Sequence, residues 1–343
     1  MIYNSILETI GGTPIVRLNH IGQDLPCEVY VKVEAMNPGG SIKDRLAVWL
    51  IEDMEKQGKL KPGGTIVEST SGNTGFGLAM AAAVKGYKTV FVLSDKMSSE
   101  KIRNLRAFGA RVVVAPSHVE PEDPNSYYNV ARRIAEETPN SVYMDQYNNL
   151  ANRECHYRTT GPEILKQMPD LDLFVAAMGT GGTLCGTGKY LREQKPGLKA
   201  IGVDPVGSIL FDLFKTGKQV EAHAYKVEGI GEDFIPENYD FNVIDDMVQV
   251  DDKASFQMTR ELLLQEGLFV GGSSGSAVAG ALKWAQEQGE AIRGKKMLIV
   301  LPDSGNRYLS KIFDDAWMEE FHFLDQPGKG TVEYIADAKR GHV

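Results

Sequence analysis

Four short loops rich in Gly, Ser and Thr carry the residues of this chain that are best suited to chemistry. The first, Asn37-Pro38-Gly39-Gly40-Ser41-Ile42-Lys43-Asp44-Arg45, runs straight into a helical pattern through Leu46 and Leu50. A lysine at a helix N-terminus lies in positive potential, which disfavours its ammonium form. That suits an amine acting as a nucleophile toward a carbonyl, the chemistry of a Schiff base. A surface lysine beside a capping serine is the plainer alternative. The second loop, Glu68-Ser69-Thr70-Ser71-Gly72-Asn73-Thr74-Gly75, stands between a strand and the helix beginning near Phe76. Hydroxyls and backbone N–H groups stacked at a helix start form an anion cradle of a size to take an α-carboxylate, and N-capping is the alternative.

The third loop, Gly179-Thr180-Gly181-Gly182-Thr183, follows a strand ending at Met178 and opens another helix. This is a phosphate-cradle design, with a tight strand-to-helix turn as the alternative. It lacks the spacing of a dinucleotide fingerprint and the Gly-Lys-Ser/Thr of an NTPase loop, so both of those readings are weakened. The fourth, Gly271-Gly272-Ser273-Ser274-Gly275-Ser276, also opens a helix. Its central serine could hydrogen-bond a ring nitrogen as an uncharged partner, or the run could be a simple Gly-rich turn.

The elements that must position these loops alternate along the chain. Strands are predicted at Val29–Val33, Thr65–Glu68, Thr89–Leu93, Arg111–Ala115, Leu173–Ala177, Ala200–Val203 and Lys296–Leu301. Helical spacing lies between them, as at Leu46, Ala47, Leu50, Ile51 and Met54 before Gly58, and from Leu78 through Val84 before Gly86. Nearly continuous apolar strands alternating with helices imply α/β architecture, with parallel sheet covered on both faces. Sites in such sheets lie in loops beyond the strand C-termini.

The composition narrows the functions available. With 343 residues the chain is long enough for two lobes that each bury a core. A net charge of -9 without a Lys/Arg cluster argues against nucleic acid or an anionic membrane as partner. No apolar run has the length of a membrane span, and Met1-Ile2-Tyr3-Asn4 lacks a signal-peptide layout, which reads as cytoplasmic. Cys27, Cys155 and Cys185 stand apart, without CxxC or zinc spacing, and no metal site is expected. His156 reads as a packed structural residue rather than a base.

The four motifs, in this order, resemble the tryptophan-synthase-β-like (fold type II) enzymes that depend on pyridoxal phosphate (PLP), specifically the cysteine synthase and cystathionine β-synthase family. The likeness runs over residues 4–320. Within that family Lys96-Met97-Ser98-Ser99-Glu100-Lys101, Asp145-Gln146-Tyr147, His156-Tyr157, Val203-Asp204-Pro205 and Glu228-Gly229-Ile230-Gly231 look like the cystathionine β-synthase branch. Cysteine synthases usually carry Phe at the Tyr147 position. Two features depart from the branch. Glu232 stands where eukaryotic relatives usually show Tyr, and Pro302 through Tyr308 reads more like a cysteine synthase.

The resemblance implies two lobes, each with a central sheet flanked by helices. Residues 43–149 would form a smaller mobile lobe, and residues 1–42 with 150–324 a larger PLP-binding lobe. It implies that Lys43 holds PLP and later moves protons, that Asn73 bonds the ring 3-hydroxyl, and that Gly179, Thr180, Gly181, Gly182 and Thr183 hold the phosphate. Ser273 would face the pyridine nitrogen. Ser69, Thr70, Ser71, Thr74, Gln146, Tyr147, Gly229 and Glu232 would bind the substrate. PLP is the electron sink and the protein supplies orientation. An uncharged serine partner favours expelling a β-substituent over transamination, leaving an aminoacrylate to which a thiol adds.

The implied reaction joins serine, or an activated serine, to homocysteine and gives cystathionine. The alternatives are cysteine synthase activity on O-acetylserine and sulfide, and cysteine β-lyase activity releasing hydrogen sulfide. A binding protein that kept the fold is opposed by intact Lys43 and Asn73. The partners are small-molecule amino acids and thiols, the expected assembly is a homodimer, and no haem is expected. Residues 325–343 read as a linker or tail, with Thr331 to Ile335 like the opening of a regulatory module.

Overall fold

The computed structural model describes residues 2–70, 72–120, 122–325 and 330. Among these residues ten strands fall into two sheets: β1 (Ile15–Arg17), β2 (Glu28–Val33), β3 (Thr65–Ser69), β4 (Lys88–Ser94), β5 (Arg111–Ala115), β6 (Ser141–Tyr143), β7 (Leu173–Ala177), β8 (Lys199–Pro205), β9 (Asp246–Val250) and β10 (Lys296–Leu301). The larger sheet has the order β1-β2-β10-β7-β8-β9 and the smaller β5-β4-β3-β6. Every pairing is parallel except β1 with β2, which run antiparallel. The seven strands expected from the sequence are all present, extended by a residue or two at some ends.

Three short or edge strands were not expected. β1 and β6 are three residues each, too short for a periodic signal, and β9 is an edge strand that mixes Asp and Gln with apolar residues. The fourth Gly-rich loop differs from the second and third in what precedes it. It follows no strand, because Val270 makes only an isolated bridge to Ser304 before the helix Gly272–Gln288 begins.

The helices pack as their apolar spacing demands. Leu46, Ala47, Leu50, Ile51 and Met54 of the helix Lys43–Lys56 are buried with Ile66, Leu78, Phe91 and Cys155 in the core of the smaller lobe. The helix Asn73–Lys85 stops at Gly86, whose φ of +79° a side chain would strain. In the larger lobe, Val31, Val175, Ile201, Val203 and Ile299 meet Ala277, Ala281 and Trp284 of the helix Gly272–Gln288.

Two buried charge clusters join segments that are far apart in the chain. Arg45 donates to Glu34 on the segment after β2 and to Glu163 in the helix Thr160–Gln167, and Lys32 donates to Glu163 at 2.7 Å. Despite its burial, Glu163 is drawn down to about 2 by Arg45 and Lys32. The second cluster is Glu228 between Lys101 and Lys311, with Lys101 also 4.9 Å from the ring centroid of Tyr308. These cations hold Glu228 below the usual carboxylate range against a burial effect that would raise it. Among the described residues, no helix is long and apolar enough to cross a membrane.

Candidate active site

The cavity between the two lobes holds about 840 Å3, and most of the predicted site residues line it. Lys43 is the first residue of its helix and reaches the cavity from the smaller lobe. Burial lowers its amine to about 8, while the nearby acidic groups of Glu232, Cys155 and Glu68 act in the opposite direction. The helix-terminus expectation placed Lys43 correctly, while loss of water is the leading cause of the shift.

Asn73 opens the helix that follows β3 and also faces the cavity. Its Nδ2 donates to Asp303 at 2.7 Å, and its Oδ1 accepts from Arg307. Those bonds fix the amide orientation and leave one N–H uncommitted, as required to reach a ring oxygen. Asp303 also accepts from Tyr308 Oη at 2.7 Å, so Pro302–Tyr308 is the brace behind Asn73. That segment had been noted only for its resemblance, since nothing local in the sequence pairs it with Asn73.

The carboxylate loop divides. Thr74 and Gln146 line the cavity, with Thr74 Oγ1 donating to Gln146 Oε1 at 2.5 Å. Gln146 Nε2 donates to the Ser69 carbonyl at 2.9 Å. Ser69 and Thr70 do not line the cavity, which corrects their expected place. Ser69 Oγ bonds Tyr143 Oη at 2.8 Å, and Thr70 Oγ1 accepts from the Gly72 and Gly75 amides, so both hydroxyls brace the loop. Ser71 lies outside the described residues.

The third loop forms the opposite wall. Gly179, Thr180, Gly181 and Thr183 line the cavity, and Gly182 does not. Gly181 has φ +85°, and the chain beyond it makes a wide turn at Gly182–Gly186 into the helix Thr187–Gln194, so the loop sits at the start of a helical run, where an anion is favoured. Close packing from behind accounts for the glycines. Tyr239 Oη donates to the Gly179 carbonyl at 2.6 Å, and a Cβ on Gly182 would stand 2.0 Å from Asn152 Oδ1. Asn152 in turn donates to the Gln146 carbonyl and to Thr180 Oγ1. Overpacking of this kind costs about 1–3 kcal/mol, so Gly182→Ala should weaken PLP binding on the order of tenfold or more. A cofactor titration of the apoprotein checks this, and unchanged affinity refutes it.

Ser273 lies in the first turn of the helix Gly272–Gln288 and lines the cavity. Its hydroxyl has no hydrogen-bond partner among the described residues, so it is free for a ligand. Gly229 and Glu232 line the cavity as expected. Burial, with Asp233 and Asp204 adding, holds the Glu232 carboxyl well above the usual range, while Lys43 pulls it down. The aromatic wall was not foreseen. Tyr128 meets Tyr147 and Phe234 at 5.3 and 5.4 Å between ring centroids, and Tyr127 Oη lies 3.3 Å from Tyr147 Oη. The Tyr127-Tyr128 pair at a helix start was the visible signal. The three cysteines are buried and free, and no cluster suited to a metal occurs among the described residues.

A poised amine, a cradle of amides and hydroxyls opposite it, and an uncommitted serine fit a phosphorylated carbonyl cofactor. The lobes around them define the fold type II class of PLP enzymes. The family model "Pyridoxal-phosphate dependent enzyme" matches residues 6–303, and the chain belongs to that family, with PLP as its cofactor. It is 49% identical over 328 residues to a cystathionine β-synthase of Oryctolagus cuniculus, covering 95% of this chain and 59% of the rabbit protein. It thus spans about three fifths of that relative's length. A cysteine synthase 1 of Neurospora crassa is 40% identical over 340 residues, with 97% and 89% covered. The crystal structure of an O-acetylserine-dependent cystathionine β-synthase from Helicobacter pylori superposes with a TM-score of 0.81 at 39% identity, covering 91% of this chain and 98% of that one.

Proposed function

We propose that this chain catalyses β-replacement on L-serine or an activated serine with homocysteine, giving cystathionine. The observation that carries this reading is Lys43, lowered to about 8, in one cavity with Asn73, Thr74 and the Gly179–Thr183 cradle. When bound, PLP withdraws electrons from the amino acid Cα. Lys43 holds the cofactor and then carries a proton from Cα toward the leaving group, within the pH range where its amine is partly neutral. The Asn73–Thr74 helix start and Gln146 orient the substrate carboxylate. Ser273 bonds the ring nitrogen without fixing a charge there. The wall of Tyr127, Tyr128 and Tyr147, backed by Phe234, keeps water from the reacting carbon. Residues 43–149 act as the mobile lobe that closes on the substrate, and the protein works as a cytoplasmic homodimer.

One observation favours a second reading. Glu232 places a buried carboxyl in the same cavity as Lys43, taking up space that a bulky second substrate such as homocysteine would need and that sulfide would not. That suits a cysteine synthase or a cysteine β-lyase. Product analysis with serine, O-acetylserine and cysteine, each with homocysteine, with sulfide and with neither, separates the readings. Cystathionine is the expected product. Its absence, with cysteine formed from O-acetylserine and sulfide or hydrogen sulfide released from cysteine, establishes the second reading instead.

A further inference from the structure

His156 lies in the helix Ala151–Arg158, fully buried behind the phosphate cradle and outside the cavity lining. Its Nδ1 is 2.9 Å from Thr160 Oγ1 and its Nε2 is 3.3 Å from Thr183 Oγ1. Burial, reinforced by the Lys43 and Arg45 cations, holds the ring well below the usual imidazole range. The ring is therefore neutral in working conditions and carries a single N–H, so one hydroxyl must donate to it and the other must accept from it.

The surroundings decide which. Thr160 is fully buried, and Nδ1 is its hydroxyl's only hydrogen-bond partner among the described residues. With the proton on Nδ1, the Thr160 hydroxyl proton would have no acceptor in a dry interior, which is unfavourable. Thr183 would then turn its own proton back to Nε2 and present only lone pairs to the cavity. With the proton on Nε2, Thr160 donates to Nδ1, Nε2–H donates to Thr183 Oγ1, and the Thr183 proton is free to point into the cavity that Thr183 lines. All three groups are then matched.

We propose that His156 is a positioning residue whose Nε2–H tautomer turns the Thr183 hydroxyl proton toward the cofactor phosphate. The inference rests on the reading of Gly179–Thr183 as the phosphate cradle. Phosphate accepts hydrogen bonds and offers none at full ionisation, and the cradle contains no Lys or Arg. A threonine facing phosphate with its lone pairs would repel it, so the direction of this one hydroxyl decides the sign of its contribution.

The test uses the holoenzyme with histidine ring nitrogens labelled with 15N. Long-range proton–nitrogen NMR spectra should show His156, assigned by its loss in His156→Gln, protonated at Nε2. Protonation at Nδ1 overturns the proposal, and this measurement on the unsubstituted ring does not depend on how well any variant folds. PLP dissociation constants and the 31P shift of bound PLP give the functional arm. His156→Leu should weaken PLP on the order of tenfold, the value of one charge-assisted hydrogen bond. His156→Gln, which keeps an N–H near the Nε2 position, should restore most of the affinity. In a Thr183→Val background His156→Leu should have no further effect. Fully additive losses overturn the proposal and leave His156 a packing residue. If Thr183→Val alone moves neither PLP affinity nor the 31P shift, the cradle reading fails and the proposal falls with it, even where the ring is protonated at Nε2.

Discussion

Lys43→Ala should stay folded, lose the covalent link to PLP, and fall in turnover by roughly 10²–10⁴-fold or more, the range attributed to a positioned acid–base group. Borohydride reduction followed by peptide mapping should place the pyridoxyl label on the Lys43 peptide of the parent protein and on no peptide of the variant. Label on another lysine, or turnover left intact, removes Lys43 from its role. Folding should survive because Lys43 lies at the first helical position and its side chain is a burden to the cofactor-free fold. Burial sets its pKa at about 8, below that of the unfolded chain. Between the two values the unfolded chain binds the extra proton, so this lysine's contribution to stability improves as pH rises and is least favourable below about 8. Removing it should leave the apoprotein at least as stable at neutral pH and abolish that slope, as thermal melts at several pH values will read. Capture of PLP by the parent apoprotein should quicken with pH and level off above about 8.

Ser273→Asp should keep PLP bound and lose about 10²–10³-fold in product formation, comparable to the removal of one preorganised donor at a reacting centre. In the proposed site the serine hydroxyl would donate to an unprotonated ring nitrogen and would need no charge beside it. An aspartate in the same buried place is stable only opposite a protonated nitrogen, because a lone buried carboxylate is strongly disfavoured. The ring then draws electrons more strongly and holds them longer, and expulsion of the β-substituent slows. Ser273→Ala, which removes the hydroxyl without adding charge, should lose far less. Full activity in Ser273→Asp would show that the ring nitrogen does not face this residue.

The chemistry-bearing loops were legible because each is a local event. Lys43, Asn73 and the Gly179–Thr183 turn combine residue type with a strand-to-helix junction, and both lie within a few residues of one another in the sequence. Ser69 and Thr70 were misplaced because composition reports a hydroxyl and not its direction. Their oxygens face Tyr143 and the loop's own amides. The braces were invisible for a different reason. Asn73 with Asp303, Lys101 with Glu228 and Arg45 with Glu163 are separated by 230, 127 and 118 residues, and a pairing over such distances leaves no periodic trace. The short strands β1 and β6 fail the same test of length. The tail read as the start of a regulatory module falls outside the described residues, apart from Asp325 and Gly330.

The strand order has a consequence for how the protein is made. The smaller sheet is drawn entirely from residues 65–143, a continuous stretch that can pair as soon as it leaves the ribosome. The larger sheet cannot. Its second strand, β2, borders β10, which ends at Leu301, so β2 must wait through most of translation with one edge open. At roughly 5–20 residues per second that wait is on the order of tens of seconds. An unpaired strand bearing Val29, Val31 and Val33 is an adhesive edge for any neighbouring chain. The newborn protein therefore passes through a stage with one lobe closed and the other unfinished, and it is in that stage, before any cofactor can be clamped, that chaperones have most to protect.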